Sequence, residues 1–128
     1  MSVNISVKIA RMLRELGVPC NVRGYAYLKT AIEYVYENSE AIHRITKELY
    51  PAVAKLYNTT ASRVERCIRL AVELCFDNSS TEVLRYFFGN QISYHKGKVT
   101  NSAFIACLVE HIHLEEMTDS NGKSSELD

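Results

Sequence analysis

Three arginines and one glutamate fall within a seven-residue stretch: Arg63, Glu65, Arg66 and Arg69. A guanidinium donates in a rigid fork that matches guanine O6 and N7, and a carboxylate accepts from cytosine N4. A carboxylate among arginines can also orient a guanidinium. Carried on the exposed face of a helix, such a set is suited to reading base edges in the major groove of a duplex. The bland alternative is a solvated face with ordinary i,i+4 pairing, here Glu65 with Arg69.

The residues between them place all four on one helix. At about 100° per residue, Val64, Cys67, Ile68, Ala71, Leu74 and Cys75 fall within about 120° of arc, a buried stripe. Ser62, Arg66, Arg69 and Glu73 lie opposite, with Arg63 and Glu65 on the flanks. Upstream spacing adds to the DNA-reading alternative. A helix-turn-helix needs a small residue in its first helix, where the second packs against the backbone. Four positions on it needs a turn residue that tolerates the left-handed region, and six further on an apolar residue that seats the second helix. Ala54, Asn58 and Val64 meet those needs, asparagine being among the few non-glycine residues that visit the left-handed region. In that frame Thr60 and Ser62, at the start of the second helix, are expected to offer donors to phosphate. Thr46 and Lys47 are expected to anchor the first helix across the backbone.

The elements that must position this pair follow from apolar periodicity. Ile5, Ile9, Leu13 and Leu16 predict a first helix, stopped by Gly17-Val18-Pro19. Leu28, Ile32 and Val35 predict a second over Tyr25 to Glu37. A third segment, about Ala41 to Tyr57, is interrupted by Pro51, which predicts either a short turn through Thr46 to Tyr50 with helix resuming at Pro51, or a kinked helix. Asn58-Thr59-Thr60 breaks the chain before a fourth helix from Ala61 to about Phe76. Thr81 to Phe87 reads as a short fifth helix. Gln91 to Val99 is weakly β-like, with Gly97 and two lysines favouring a loop. Thr100-Asn101-Ser102 caps a sixth helix, Ala103 to about Glu115, and the rest is polar.

Composition agrees with a single domain. The 128 residues are 47% hydrophobic and 23% charged, ordinary values for a globular chain able to bury a core unaided. The longest apolar run, Ala103 to Val109, is far short of the roughly 20 residues of a membrane span. Lys8, Arg11 and Arg14 punctuate the first segment, which therefore does not read as a secretory core. Net charge is zero, yet His43–Glu73 carries six cations against three anions and Glu110–Asp128 six anions against one cation. A balanced total thus hides a basic region and excludes no polyanionic partner. Cys20, Cys67, Cys75 and Cys107 form no C-x-x-C pair, and the last three sit on apolar stripes, so reduced thiols are expected. His111 and His113 point about 200° apart on a regular helix and cannot chelate one ion. No phosphate-cradling glycine loop or nucleophilic dyad appears. Neither an enzyme, a cofactor nor a metal is expected. The tyrosines, six of them between Tyr25 and Tyr57, read as half-buried packing rather than a stacking platform for single strands. His95-Lys96-Gly97-Lys98 is a basic loop.

Ile45-Thr46-Lys47-Glu48-Leu49-Tyr50-Pro51, Ala54-Lys55, and Asn58-Thr59-Thr60-Ala61-Ser62-Arg63-Val64-Glu65-Arg66 with Ile68-Arg69 closely resemble the effector domain of the stage-zero sporulation response regulator family of endospore-forming bacteria. Gly17-Val18-Pro19, Gly24-Tyr25, Tyr27-Leu28, Ala31-Ile32, Phe88-Gly89, Thr100-Asn101-Ser102 and Phe104-Ile105-Ala106 keep the same order, so the resemblance covers roughly residues 5 to 115. It implies a six-helix domain that binds boxes related to TGTCGAA, activates or represses transcription, and contacts RNA polymerase sigma factors. It implies DNA contacts at Arg63, Glu65, Arg66 and Arg69. The chain departs from the family at Leu70 (usually histidine), Phe76 (usually tryptophan), Asp77-Asn78-Ser79 (usually Ser-Arg-Gly) and Val99 (usually proline). These changes bear on activation more than on DNA binding. In the family this domain follows a phosphoacceptor receiver domain.

The expected fold class is therefore all-α: six helices containing a helix-turn-helix, winged-helix-like but without a clear sheet. Residues 1–116 are expected to form the effector domain and 117–128 an acidic, disordered tail. The expected partners are duplex DNA, a sigma factor through Asp77, Ser79, Phe88 and Glu110, and a second copy on tandem boxes. The expected place is the bacterial cytoplasm, at the nucleoid. The rival reading is an interaction module that kept the fold and regulates through a sigma factor or related regulator without specific DNA binding.

Overall fold

The first helix, α1 (Val3–Glu15), buries Ile5, Ile9, Met12 and Leu13 along one face. It ends in a left-handed turn at Gly17 (φ 75°). Val18 N–H returns to Leu13 O at 2.9 Å and Gly17 N–H to Arg14 O at 3.0 Å. This is the Schellman pattern, sealed by the buried pair Leu13 and Val18. The computed structural model describes residues 3–89 and 99–127.

Helix α2 (Arg23–Glu37) buries Tyr27, Leu28, Ala31, Ile32 and Val35 and packs against α1, against the second helix-turn-helix helix and against the last helix. The segment around Pro51 resolves into three pieces: a 3-10 turn, Ser39–His43, a π-helical turn, Ile45–Leu49, and α3, Tyr50–Leu56. Helix α3 begins at Tyr50, one residue before the proline, and Leu49 ahead of it is already helical (φ −66°, ψ −55°), so the π-helical turn runs straight into α3 rather than through a break at Thr46 to Tyr50. The wide turn, with Leu49 N–H on Arg44 O at 3.2 Å, delivers Pro51 to the first turn of α3. There its missing N–H leaves no bond unmade.

The long α4 (Ala61–Asn78) starts at Thr60, whose Oγ1 accepts from Arg63 N–H at 3.2 Å. Ser80 caps α5 (Thr81–Phe88) in the same way, and Gly89 closes it. Thr100 caps α6 (Asn101–Leu127), accepting from Ala103 N–H at 3.1 Å. Phe104, Ile105, Leu108 and Ile112 of α6 are fully buried.

One difference from expectation concerns the last third. The sixth helix does not stop near Glu115: residues 117–127, expected as a disordered tail, continue it. Once a helix is nucleated each further residue adds a backbone bond, and the extension is also held from the side. Tyr36 Oη donates to Glu116 at 2.9 Å and Lys8 pairs with Asp119 at 3.9 Å, while within the helix Thr118 Oγ1 donates to Leu114 O at 3.0 Å. The weakly β-like stretch and the basic loop His95–Lys98 lie, Val99 apart, outside the described residues. No strand occurs among the described residues, where the helix-turn-helix is supported by helices.

Candidate nucleic-acid interface

The turn between α3 and α4 repeats the device that ends α1. Thr59 N–H bonds Ala54 O at 2.9 Å and Asn58 N–H bonds Lys55 O at 3.4 Å. Asn58 takes the left-handed position (φ 53°), the sole non-glycine residue to do so among those described. Ala54 and Val64 are both buried. The three motif residues therefore occupy the places their spacing predicts.

What seats α4 from below is a contact the sequence reading missed. Gly24 of α2 lies against the α4 main chain. A Cβ there would overlap the carbonyl oxygen of Cys67 and come within 2.9 Å of the Ala71 Cβ. Only hydrogen fits between the two helices at that point. Val64, Ile68, Ala71 and Cys75 complete the buried stripe. Burial pushes the Cys75 thiol up to about 12, so it behaves as packing rather than as a nucleophile.

The opposite face of α4 is open. Ser62, Arg63, Arg66 and Arg69 are exposed and Glu65 is half-buried. Arg69 Nη1 donates to Glu65 Oε2 at 2.7 Å, the pairing of the bland alternative. An exposed i,i+4 pair contributes only about 0.3–0.5 kcal/mol, so it orients Arg69 without withholding it from a stronger acceptor. Among the described residues, the side chains of Arg63 and Arg66 have no hydrogen-bond or ion-pair partner.

Thr46 and Lys47 are exposed on the π-helical turn. That turn is braced from behind: Glu48 accepts from Arg44 Nε at 2.9 Å and from Tyr34 Oη at 2.8 Å. The Arg44 bond, then the Tyr34 bond, hold the Glu48 carboxyl below its usual range. The bond to Glu48 in turn raises the Tyr34 phenol. Ile45 of the same turn lines a groove of about 490 Å³ together with Tyr50, Glu65, Arg69 and Asn101. The turn therefore flanks the arginine face. On the other flank Arg23, forty residues away in sequence, borders a groove with Cys67 and the exposed Leu70. No local signal marks Arg23. Packing alone brings it there.

The four residues expected to meet a sigma factor do not share one surface. Asp77 and Glu110 are exposed. Ser79 is half-buried, and its hydroxyl donates to Leu16 O at 2.6 Å. Phe88 is in the core, stacked on Phe76 and tilted against Phe104. Its place in the proposed surface is corrected accordingly: an aromatic ring closing α5 is worth more buried than wet. The histidines of α6 have packing roles as well. His111 sits against Tyr86 and Phe87, and His113 stacks on Tyr36 at 5.1 Å. Tyr27 and Tyr50 are buried, and Tyr57 bonds Thr30 at 2.7 Å, so these rings pack rather than form an open stacking platform.

A short helix, a left-handed turn, and a seated second helix with an arginine face together define a helix-turn-helix domain of the DNA-binding class. The family model described as "Sporulation initiation factor Spo0A C terminal" matches residues 9–112, and the chain belongs to that family. It is accordingly a DNA-binding domain of the sporulation transcription-factor type, in a regulatory rather than an enzyme family. No helix among the described residues is long and apolar enough to cross a membrane.

Proposed function

We propose that the domain reads short TGTCGAA-like boxes by laying α4 in the major groove. Arg63, Arg66 and Arg69 contact bases, and Glu65 discriminates or orients. Thr60, Ser62, Thr46 and Lys47 hold phosphates, joined by Arg23 on the far flank. The observation that carries this reading is that, among the described residues, Arg63 and Arg66 have no side-chain partner, on the exposed face of a helix seated by a helix-turn-helix. Fork-shaped donors held ready on a rigid element are what base recognition requires. On tandem boxes a second copy binds alongside, and the exposed acids Asp77 and Glu110 meet a sigma factor. The domain acts at the nucleoid in the bacterial cytoplasm.

Fluorescence anisotropy with a box duplex and a scrambled duplex at two salt concentrations tests the reading. Box-selective binding that weakens with salt is expected. Equal weak binding to both duplexes would remove sequence-specific readout and favour the interaction module.

A further inference from the structure

We infer that Asn101 is a positioning residue for base reading: from the start of α6 it ties the two helices of the helix-turn-helix together at the level of the base-facing arginines. The inference rests on the DNA-reading role above and goes beyond it to a residue that meets no DNA.

Asn101 is 8% exposed, the sole buried polar residue among those described. A buried amide is unfavourable unless its groups are bonded. Its Nδ2 donates to Tyr50 Oη at 3.0 Å and to the main-chain oxygen of Glu65 at 3.2 Å. Tyr50 is the first residue of α3 and Glu65 lies in the first half of α4. One side-chain nitrogen from a third helix is thus bonded to both halves of the motif. The Glu65 carbonyl is adjacent to Arg66 and belongs to the residue whose carboxylate holds Arg69.

The amide is not there to start α6, because Thr100 already caps that helix. Nor is it needed to fill apolar space, which a leucine or methionine would fill without polar groups to satisfy. It fixes how far α4 can roll against α3. Bidentate contact to a base edge depends on that roll, because two donors must meet two acceptors at once. Phosphate contacts tolerate more displacement and carry no sequence information. Loosening the tie therefore lowers discrimination between sequences more than it lowers affinity for DNA in general.

The test compares the full chain with Asn101→Ala and Tyr50→Phe. Affinity for the box and scrambled duplexes is measured alongside the urea midpoint of each protein. For Asn101→Ala the box-over-scrambled ratio is expected to fall about fivefold, the scale of a lost buried hydrogen bond. Scrambled-duplex affinity and its salt slope stay at the parent values. Tyr50→Phe falls less, since the bond to Glu65 remains. A purely structural contact would lower the urea midpoint and leave the ratio unchanged. A ratio within about twofold of the parent for folded Asn101→Ala overturns the inference, and if that variant does not fold the same criterion applies to Tyr50→Phe. A parent chain with no box preference overturns the DNA-reading role itself and this inference with it. A parent preference that survives in both variants overturns this inference alone.

Discussion

At its N-terminal end α4 carries Arg63 and Arg66, whose side chains have no hydrogen-bond or ion-pair partner among the described residues, while its C-terminal end is tied to α1 through Asn78 and the capping residue Ser79. Asn78 Nδ2 donates to Gly17 O at 2.9 Å and Ser79 Oγ to Leu16 O at 2.6 Å. Those two carbonyls lie at the left-handed turn that ends α1, where the main chain is otherwise short of donors. Phe76, nearby, stacks on Phe88. One helix is thus clamped along its inner stripe and at its far end, and left open at its near end. The contrast shows how a small domain can hold an exposed helix face in place without using Arg63 and Arg66 as struts. The departure Asp77-Asn78-Ser79 supplies two of the clamping side chains, so it has a structural role in this chain.

The contrast can be broken most severely from the middle. Gly24→Ala places a methyl group against the α4 main chain, which cannot yield as a flexible side chain would. Urea unfolding is expected to show a loss of about 2–3 kcal/mol, although alanine is ordinarily the better helix residue. An unchanged midpoint would show that the two helices are free to separate there. Arg66→Ala acts on the open end alone. It is expected to weaken box binding by about 1–3 kcal/mol and relax preference at one base position, with stability preserved; anisotropy across a panel of single-base variants reads this. Ser79→Ala acts on the clamped end alone. It leaves a buried carbonyl with one donor fewer and is expected to lower stability by about 1 kcal/mol, with DNA affinity unchanged in the same assay.

The smallest expected effect concerns the brace behind the π-helical turn. Glu48 has its carboxyl pKa depressed in the folded chain by Arg44 and Tyr34, below a starting value of 4.5. Its contribution is therefore fully present above the unfolded value and fades as pH falls through the lower folded one. Acid titration of stability should show a slight loss below about pH 4.5 that disappears in Glu48→Gln. Because the pair is exposed, the effect is also expected to shrink with added salt.

The helix-turn-helix was legible in the sequence because its requirements are local. A small residue, a left-handed turn residue and an apolar seat recur at fixed spacing within eleven residues, Ala54 to Val64. The periodic stripe of α4 put Arg63, Arg66 and Arg69 outside by the same local rule, and Pro51 fell in the first turn of α3. Phe88 was misplaced because an aromatic residue next to a glycine reads equally well as surface or core, and only the stacking rings of Phe76 and Phe104 decide it. The extent of α6 was underestimated because its last turns are polar. Periodicity says nothing about a polar helix steadied by Tyr36 and Lys8 from other elements.

The chain by itself determined where helices start and stop and which faces are apolar, because capping, left-handed turns and periodicity act over a few residues. It also determined which side chains stand exposed on α4. Only the tertiary structure decided what holds α4 in place: Gly24 beneath it, Asn78 and Ser79 at its end, and Asn101 across the motif. Those contacts join residues 36 to 63 positions apart, or meet without any shared local pattern. Long-range packing of this kind depends on how every helix docks at once, which no spacing within one segment encodes.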